Sequence, residues 1–476
     1  MSRADTAVLA VDLDGTLVNT DLLVENLFLF LRKEPAGVFK LLPWLLRGKA
    51  SFKQKLADAV LPEVDNLPYN EPLIEWLKKQ QDAGVVLVLA TASDIRIGRA
   101  VANHLGIFDE VLGTESQNLS SHRKRDVLVD RFGERGFSYV GNSRADLAVW
   151  RSAALIHVAN PERRVLAAAG KLGQVGQVFS GRPAYVPTLL KAFRLHQWAK
   201  NLLLFVPLLA SHRMFEWPLL SNGLLAFVAF GACASSVYLL NDLLDLPEDR
   251  KHPSKRNRPL AAGTLPILHS LIFIPGLLLC SFGLALWQLP LLFSVVLLAY
   301  FAMTLAYSVW LKRVVMLDVV TLAVLYTIRV IAGAAATGLL ITSWIMAFST
   351  FIFLSLAFVK RYTELRGART SGNSLLSGRG YHPSDFELLA SLGGAAGYIS
   401  VLVLALYIND AQTADLYRSP QWMWLACPLL LYWLSRVWLL AHRGEMHDDP
   451  VVFALADRVS QLIGLAFVAV FAFSTL

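Results

Sequence analysis

Hydrophobic positions are distributed unevenly along the chain. Beyond about residue 195, apolar runs long enough to cross roughly 30 Å of hydrocarbon, about 20 residues each, recur near 197–213, 218–240, 266–286, 290–310, 316–338, 341–360, 391–409, 422–441 and 455–475. This predicts nine membrane-spanning helices. The first run is short and contains Pro207, and small residues such as Gly393, Gly394 and Gly397 would let helix backbones approach closely. Before residue 195 the pattern changes to short continuous apolar runs at 7–11, 85–90 and 137–140, each closing on polar or acidic residues. Buried parallel strands deliver side chains to the C-terminal edge of an α/β sheet in this way. Within 20–80, the apolar stretches at 27–31 and 39–46 read as packing surfaces, with a bilayer-facing role as the second reading. The Gly- and Pro-containing segment 166–195 reads as a linker or surface-lying connector. The organisation expected is a soluble α/β domain over 1–165, a linker over 166–195, and an all-α membrane domain over 196–476.

Composition agrees with this division. Of 476 residues 55% are apolar and only 17% charged, against roughly a quarter charged in soluble proteins, which excludes disordered, collagen-like and disulfide-scaffold classes. Cys233, Cys280 and Cys427 all lie in apolar stretches without metal-ligand spacing and read as packing residues. The N-terminus lacks the pattern of a secretory signal, which puts the soluble part in the cytoplasm. With that orientation the cytoplasmic loops hold fifteen Lys and Arg residues, among them Arg250, Lys251, Lys312, Arg313, Arg379 and Arg443, against Arg213 and Arg418 on the other side. The positive-inside rule therefore gives the same topology: a multi-pass protein of a bacterial-type inner membrane, with both active sites cytoplasmic and the C-terminus opposite. The net charge of +8 follows this membrane face, so no nucleic-acid partner is expected. His447-Asp448-Asp449 reads as a short solvated loop.

The densest acids of the membrane half are Asn241-Asp242-Leu-Leu-Asp245-Leu-Pro-Glu248-Asp249. On a persisting helix Asp242, Asp245 and Asp249 fall at i, i+3 and i+7 on one face, where three carboxylates need a cation. Hard oxygen ligands suit Mg²⁺ carrying a diphosphate. A solvated helix end is the ordinary reading of an isolated acidic run, but Arg250, Lys255, Arg256 and Arg258 follow at once. Bases for phosphate oxygens beside acids for a metal describe a diphosphate site. An arginine within a span, Arg329, is costly and by default functional; it lies three residues beyond Tyr326 and on roughly the same helical face as Asp318.

NDxxDxxxD after the second span, together with His196-Gln197-Trp198-Ala199-Lys200-Asn201 at the first, resembles the UbiA-type intramembrane prenyltransferases. The string at 241–263 resembles the branch that makes polyprenyl-phosphoryl-5-phosphoribose from phosphoribosyl diphosphate and a polyprenyl phosphate. Where ordinary prenyltransferases carry a second run of aspartates, this chain has a lone Asp318, which favours that branch; the tract 360–365, beginning Lys360-Arg361, also looks like it. The resemblance implies Mg²⁺ on Asp242, Asp245 and Asp249, Asn241 completing the metal site, and substrate phosphates on cations such as Lys200, Arg329, Lys360 and Arg361, with Asn201, Arg250, Lys255, Arg256, Arg258, Asp318 and Tyr326 as further binding residues.

In the soluble half, Asp12-Leu-Asp14-Gly15-Thr16, Thr91-Ala-Ser93 and Gly141-Asn142-Ser143-Arg144-Ala145-Asp146 close the three apolar runs, a spacing that resembles haloacid-dehalogenase-type (HAD) phosphatases. The resemblance implies a Rossmann-like parallel sheet with a helical cap near 20–80, Asp12 as nucleophile, Asp14 as acid and base, Thr91 as phosphate donor, Lys124 as charge stabiliser, and Mg²⁺ held with Asn142 and Asp146. Asn142 stands where the family usually has aspartate, so weaker Mg²⁺ binding is expected. The expected activity is a Mg²⁺-dependent membrane phosphoribosyltransferase, whose lipid product the HAD domain dephosphorylates. The alternatives are prenyl transfer to an aromatic acceptor, or a non-catalytic carrier of lipid phosphates.

Overall fold

The computed structural model describes residues 7–115, 117–180, 183–370, 380–410, 417–446 and 449–475; Arg379, His447 and Asp448 lie outside them. The chain divides into two compact units, Met1–Phe193 with Tyr238–Ile274, and Arg194–Val237 with Pro275–Leu476.

The first unit is built on six strands, β1 (Val8–Val11), β2 (Val86–Asp94), β3 (Glu110–Thr114), β4 (Ser138–Gly141), β5 (Ile156–Ala159) and β6 (Val175–Phe179). They form one sheet in the order β3-β2-β1-β4-β5-β6, and every pairing is parallel. Alternation along β1 fixes the two faces: Leu9 and Val11 enter a core with Leu87 and Leu89, whereas Ala10 enters the opposite core with Val88 and Ala90. Between β1 and β2 the chain builds α1 (Leu22–Lys33), α2 (Val38–Leu46), α3 (Lys49–Ala59) and α4 (Glu71–Asp82). Of these, α4 supplies Leu73, Ile74 and Leu77 to the first core, joined by Ile97 and Val101 of α5 (Ile95–Leu105). The second core takes Leu128 of α6 (His122–Phe132), Val149 and Trp150 of α7 (Leu147–Trp150), and Val165 and Ala169 of α8 (Arg163–Leu172).

Two expectations are corrected here. Residues 166–179 are not a linker: they form most of α8 and the whole of β6, in which three consecutive residues are exposed, so its glycine-containing sequence does not read as a strand. A helix α9 (Tyr185–Ala192) follows. The cap helix α2 packs only through Leu41 and Trp44, the latter 5.2 Å from Phe30 between ring centroids; its other apolar side chains are exposed.

The remaining helices are apolar. A 3₁₀ stretch over Leu195–Phe205 runs into the short α10 (Val206–Ala210), so 197–213 is not a spanning helix. Pro207 and the buried polar Lys200 and Asn201 account for this, because their side chains bond to other elements. Helix α11 (Trp217–Leu244) ends in the first unit, which also holds α12 (Leu246–Lys251) and the start of α13 (Ile267–Gln288). Helices α14 (Leu291–Val309), α15 (Leu317–Thr337), α16 (Ser343–Thr370) and α17 (Phe386–Asn409) follow, then Ala426–Arg443. Among the described residues seven helices are long and apolar enough to cross a membrane. An eighth span is formed if Pro450–Ala456 and Arg458–Ser474, bent at 83°, count as one.

Candidate functional site

Helix α11 closes at Leu244 and α12 opens at Leu246 with Asp245 as its N-cap, because Pro247 lacks the N–H that a continuous helix needs. Asp245 N still bonds Asn241 O at 2.9 Å, and Asp249 N bonds Asp245 O at 2.8 Å. The near-helical path brings Asp242 and Asp249 together, and both accept from the same Arg258 Nη1, at 3.2 and 2.6 Å. Burial pushes the Asp249 carboxyl upward against the pull of Arg258. Asn241 Oδ1 is buried with no hydrogen-bond partner. Two carboxylates converging on one cationic atom, beside an orphaned amide oxygen, fit a divalent cation that takes its remaining ligands from a diphosphate. Among the described residues no three acids, histidines or cysteines gather as a metal cluster, so the three-carboxylate arrangement expected of Asp242, Asp245 and Asp249 is reduced to the first and last.

The second unit gathers the other polar set. Lys200 on the 3₁₀ stretch, Lys360 on α16 and Tyr326 on α15 all donate to Asp449, from 2.8, 2.9 and 2.8 Å. Asp449 also caps the helix beginning at Pro450, accepting from Val451 N. Arg329, near the middle of α15, donates through Nε to Asn201 Oδ1 and through Nη2 to Tyr300 OH, each at 3.2 Å. The faces of Phe230, Tyr300 and Tyr326 surround its guanidinium at 5.4, 5.1 and 5.7 Å. Asn201 Nδ2 is buried without a partner. Basic and amide groups so arranged can hold phosphate oxygens.

At the C-terminal edge of the sheet in the first unit, Lys124 Nζ lies 2.6 Å from Asp12 Oδ1 and 3.1 Å from Tyr139 OH. Thr16 Oγ1 donates to Asp12 Oδ2 at 3.2 Å. Asp14 accepts from Leu22 N at 2.9 Å and from Ser93 Oγ at 2.7 Å, and Thr91 Oγ1 accepts from Ser93 N. Burial pushes the Asp12 carboxyl up to about 7 although Lys124 pulls it down. Burial also raises Asp14, with Asp21 adding to it. Burial lowers Lys124, but Asp12 and Asp146 outweigh it and leave the ammonium above its ordinary value. Gly15 is left-handed at φ +73°, and a Cβ there would meet Asn142 Nδ2 at 2.1 Å, so glycine lets the two loops close on each other. A buried carboxylate beside a fixed ammonium, with a second acid on the next turn, can accept a phosphoryl group and protonate its leaving group.

The profile of the UbiA prenyltransferase family matches residues 202–457, more than half of the chain. The chain belongs to the UbiA prenyltransferase family. An uncharacterised protein of Sinorhizobium fredii is 36% identical over 466 residues, 97% of this chain and 90% of its own length. The decaprenyl-phosphate phosphoribosyltransferase of Mycobacterium tuberculosis is 31% identical over 290 residues, 60% of this chain and 93% of its own length. A solved apo phosphoserine phosphatase covers 37% of this chain and 94% of its own, at 14% identity and TM-score 0.28. The chain thus joins a UbiA-type helical domain to an N-terminal α/β domain built on a parallel six-strand sheet.

Within the UbiA half, several residues expected at the site are engaged elsewhere. Asp318 and Arg361 form a fully buried ion pair of 2.7 Å, to which Tyr381 OH donates at 2.5 Å and Glu364 adds a further contact. They tie α15 to α16 and face each other rather than Tyr326 and Arg329. Arg250 turns away from Asp249 to Glu25 on α1, where both side chains are 5% exposed. Lys255 is half-buried and Arg256 exposed on the turn Lys255–Asn257. In the α/β half, Asp146 accepts from Tyr139 OH, Asn142 N, Ser143 N and Ser143 Oγ, so its oxygens brace the Asn142 loop.

Some functional groups escape sequence reading. Asp449 organises Lys200, Tyr326 and Lys360, but an acid in a short polar loop gives no signal of burial. Lys53, on α3, donates to Ala92 O, next in the chain to Ser93, at 2.6 Å and to Asn118 Oδ1 at 2.7 Å, and burial lowers its pKa.

Proposed function

We propose that the UbiA domain transfers 5-phosphoribose from phosphoribosyl diphosphate to a polyprenyl phosphate, and that the HAD-like domain removes the 5-phosphate from the product. The likeness to the mycobacterial decaprenyl-phosphate phosphoribosyltransferase, spanning 93% of that protein, carries the first half. The pairing of Asp318 with Arg361 supports it, since the lone acid in place of a second aspartate run is already neutralised.

In the transfer, the anomeric carbon loses its bond to pyrophosphate and gains one to a lipid phosphate oxygen. Mg²⁺, when bound, neutralises charge growing on the leaving diphosphate; Asp242, Asp249 and Asn241 would hold it. Arg258, released from the two carboxylates, stays within reach of diphosphate oxygens. The nucleophile is an anion and needs positioning rather than a base, which Lys200, Arg329 and Lys360 provide. In the second step Asp12 attacks the 5-phosphate, Asp14 gives its proton to the ribose 5-oxygen and then takes one from water, and Lys124 stabilises the charge on the phosphoryl oxygens. Inorganic phosphate leaves, and Asp12 is regenerated.

The test is incubation of the purified full chain in nanodiscs with Mg²⁺, radiolabelled phosphoribosyl diphosphate and polyprenyl phosphate, with the lipid product weighed by mass spectrometry. A lipid-linked ribose without 5-phosphate is expected, absent in Asp242→Ala and 5-phosphorylated in Asp12→Asn. A wild type that yields no lipid-linked pentose but consumes prenyl diphosphate would overturn the reading in favour of prenyl transfer.

A further inference from the structure

The segment after Asp249 is held by the HAD-like domain at two places within the first unit. Arg250 donates to Glu25 through both guanidinium nitrogens, the Nη2 contact being 3.0 Å, and through Nε to Ala261 O at 3.2 Å. Both ends of this ion pair are buried, so neither has water as an alternative partner. Thirteen residues further on, Gly263 at φ +67° packs on the β1–α1 loop so closely that a Cβ would lie 2.6 Å from Asn19 O. Asn19 is itself fixed, donating through N to Pro68 O and accepting from Asn160 Nδ2. Exposed pairs Arg32–Glu248 and Lys251–Glu63 flank the contact. Helix α1 therefore serves both halves of the unit: Leu22 N at its start holds Asp14, and Glu25, three residues further on, holds Arg250, the neighbour of Asp249.

We propose that Glu25 is a positioning residue of the transferase, fixing through Arg250 the segment that carries Asp249 and Arg258, so that the HAD-like domain is a structural part of the diphosphate site. This rests on the transfer reading above. With Glu25→Gln, hydrogen exchange of 246–263 in the full chain should rise tenfold or more. The KM for phosphoribosyl diphosphate should rise about tenfold, with kcat within about threefold. The exchanged pair Glu25→Arg with Arg250→Glu should recover most of both. Gly263→Ala, which forces the loop off Asn19 without touching a charge, should move both readouts the same way and serves if Glu25→Gln does not accumulate. Unchanged exchange and KM in both variants would overturn the proposal. If the wild type transfers no pentose, the functional reading falls, and hydrogen exchange alone still decides whether Glu25 holds the segment.

The exposed face of α2 fits a different partner. Val38, Phe39, Leu42, Leu45 and Leu46 are 49, 82, 64, 52 and 79% exposed, and they share one broad helical face opposite Trp44 and bordered by Leu41. Lys33, Arg47 and Lys49 lie within five residues of it along the chain, and Arg32 and Lys40 are paired with Glu248 and Glu34. The same unit contains the end of α11 and the start of α13, two spanning helices, so a bilayer surface is at hand for it. We infer that α2 lies in the interface of an anionic bilayer, its apolar face among the acyl chains and its bases at the headgroups. A nitroxide on Leu42→Cys, in the full chain freed of Cys233, Cys280 and Cys427 and placed one copy per phosphatidylglycerol-containing nanodisc, should collide readily with oxygen and poorly with a water-soluble nickel chelate. A label at the exposed Glu134→Cys should do the reverse. Equal nickel access at the two sites would overturn the inference, as would protection at Leu42→Cys found only with two copies per disc, which would make a second copy the partner.

Discussion

Asp449 is the group whose loss should be felt most widely in the membrane half. Its Oδ2 receives Lys200 and Lys360 from 2.8 and 2.9 Å, and the three side chains are 7, 9 and 28% exposed. Two ammonium groups within hydrogen-bond reach of one oxygen are no more than about 6 Å apart. At an effective dielectric constant of about 20 their repulsion is about 3 kcal/mol once the carboxylate is gone. Breaking a buried ion pair by removing one partner costs about 3–5 kcal/mol, and the residual exposure of Lys360 places Asp449→Asn at the lower end, near 3 kcal/mol. The amide keeps the shape and leaves the charge uncompensated. The assay is reversible unfolding in mixed dodecyl maltoside and dodecyl sulfate micelles. A second substitution, Lys200→Met in the Asp449→Asn background, should recover about half of the loss by removing one of the two cations. A stability for Asp449→Asn within about 0.5 kcal/mol of wild type, or no recovery in the double variant, would refute the view that this carboxylate holds the lysines together.

Three further outcomes are expected. His157 is buried on β5 and accepts from Gln177 N, and burial lowers its pKa to about 4; against an unfolded value near 6.5, the unfolded chain binds the extra proton between those limits. Stability of the sheet should therefore be complete above about pH 6.5 and fall by up to about 3 kcal/mol as pH drops to 4, a slope that hydrogen exchange of β5 and β6 should lose in His157→Asn. Asn142→Asp adds a carboxylate beside Asp12 and Asp14 and should lower the Mg²⁺ concentration for half-maximal phosphatase activity by about tenfold. Arg361→Met leaves Asp318 buried without its cation and should cost about 3–5 kcal/mol in the same micelle assay, whereas Arg361→Met together with Asp318→Leu should be nearly neutral.

Local signals carried most of the architecture into view. The runs ending at Asp12, Ala90 and Val140 are strands of a sheet buried on both faces, and such strands read as continuous apolar segments. Most spanning helices are equally plain, since hydropathy alone selects them. What failed did so for want of a local cue. β6 is an edge strand whose end residues Val175 and Phe179 are partly covered while the three between them are exposed, so its sequence looks like a connector. The 3₁₀ stretch at 195–205 is apolar enough to suggest a span, yet its path is set by Lys200 and Asn201 bonding to distant elements. Asp318 is placed by helical spacing on a face with Tyr326 and Arg329, but Arg361, which decides its role, lies on another helix. Asp449 and Glu25 act through partners more than two hundred residues away, Lys200 and Arg250, and nothing in their own neighbourhoods announces it.

The cage around Arg329 bears on how the protein is made. A lone arginine at the centre of a helix raises the cost of lateral release into lipid by about 2.5–3.5 kcal/mol. Asn201, Phe230 and Tyr300, which receive this arginine, all precede it in the chain, so they have left the ribosome before α15 emerges and can welcome it as it inserts. Lys200 and Lys360 enjoy no such provision. Their counter-ion is translated last, and until the ribosome passes Asp449 the half-assembled bundle carries two unmatched cations, a window in which quality-control proteases and chaperones would find it.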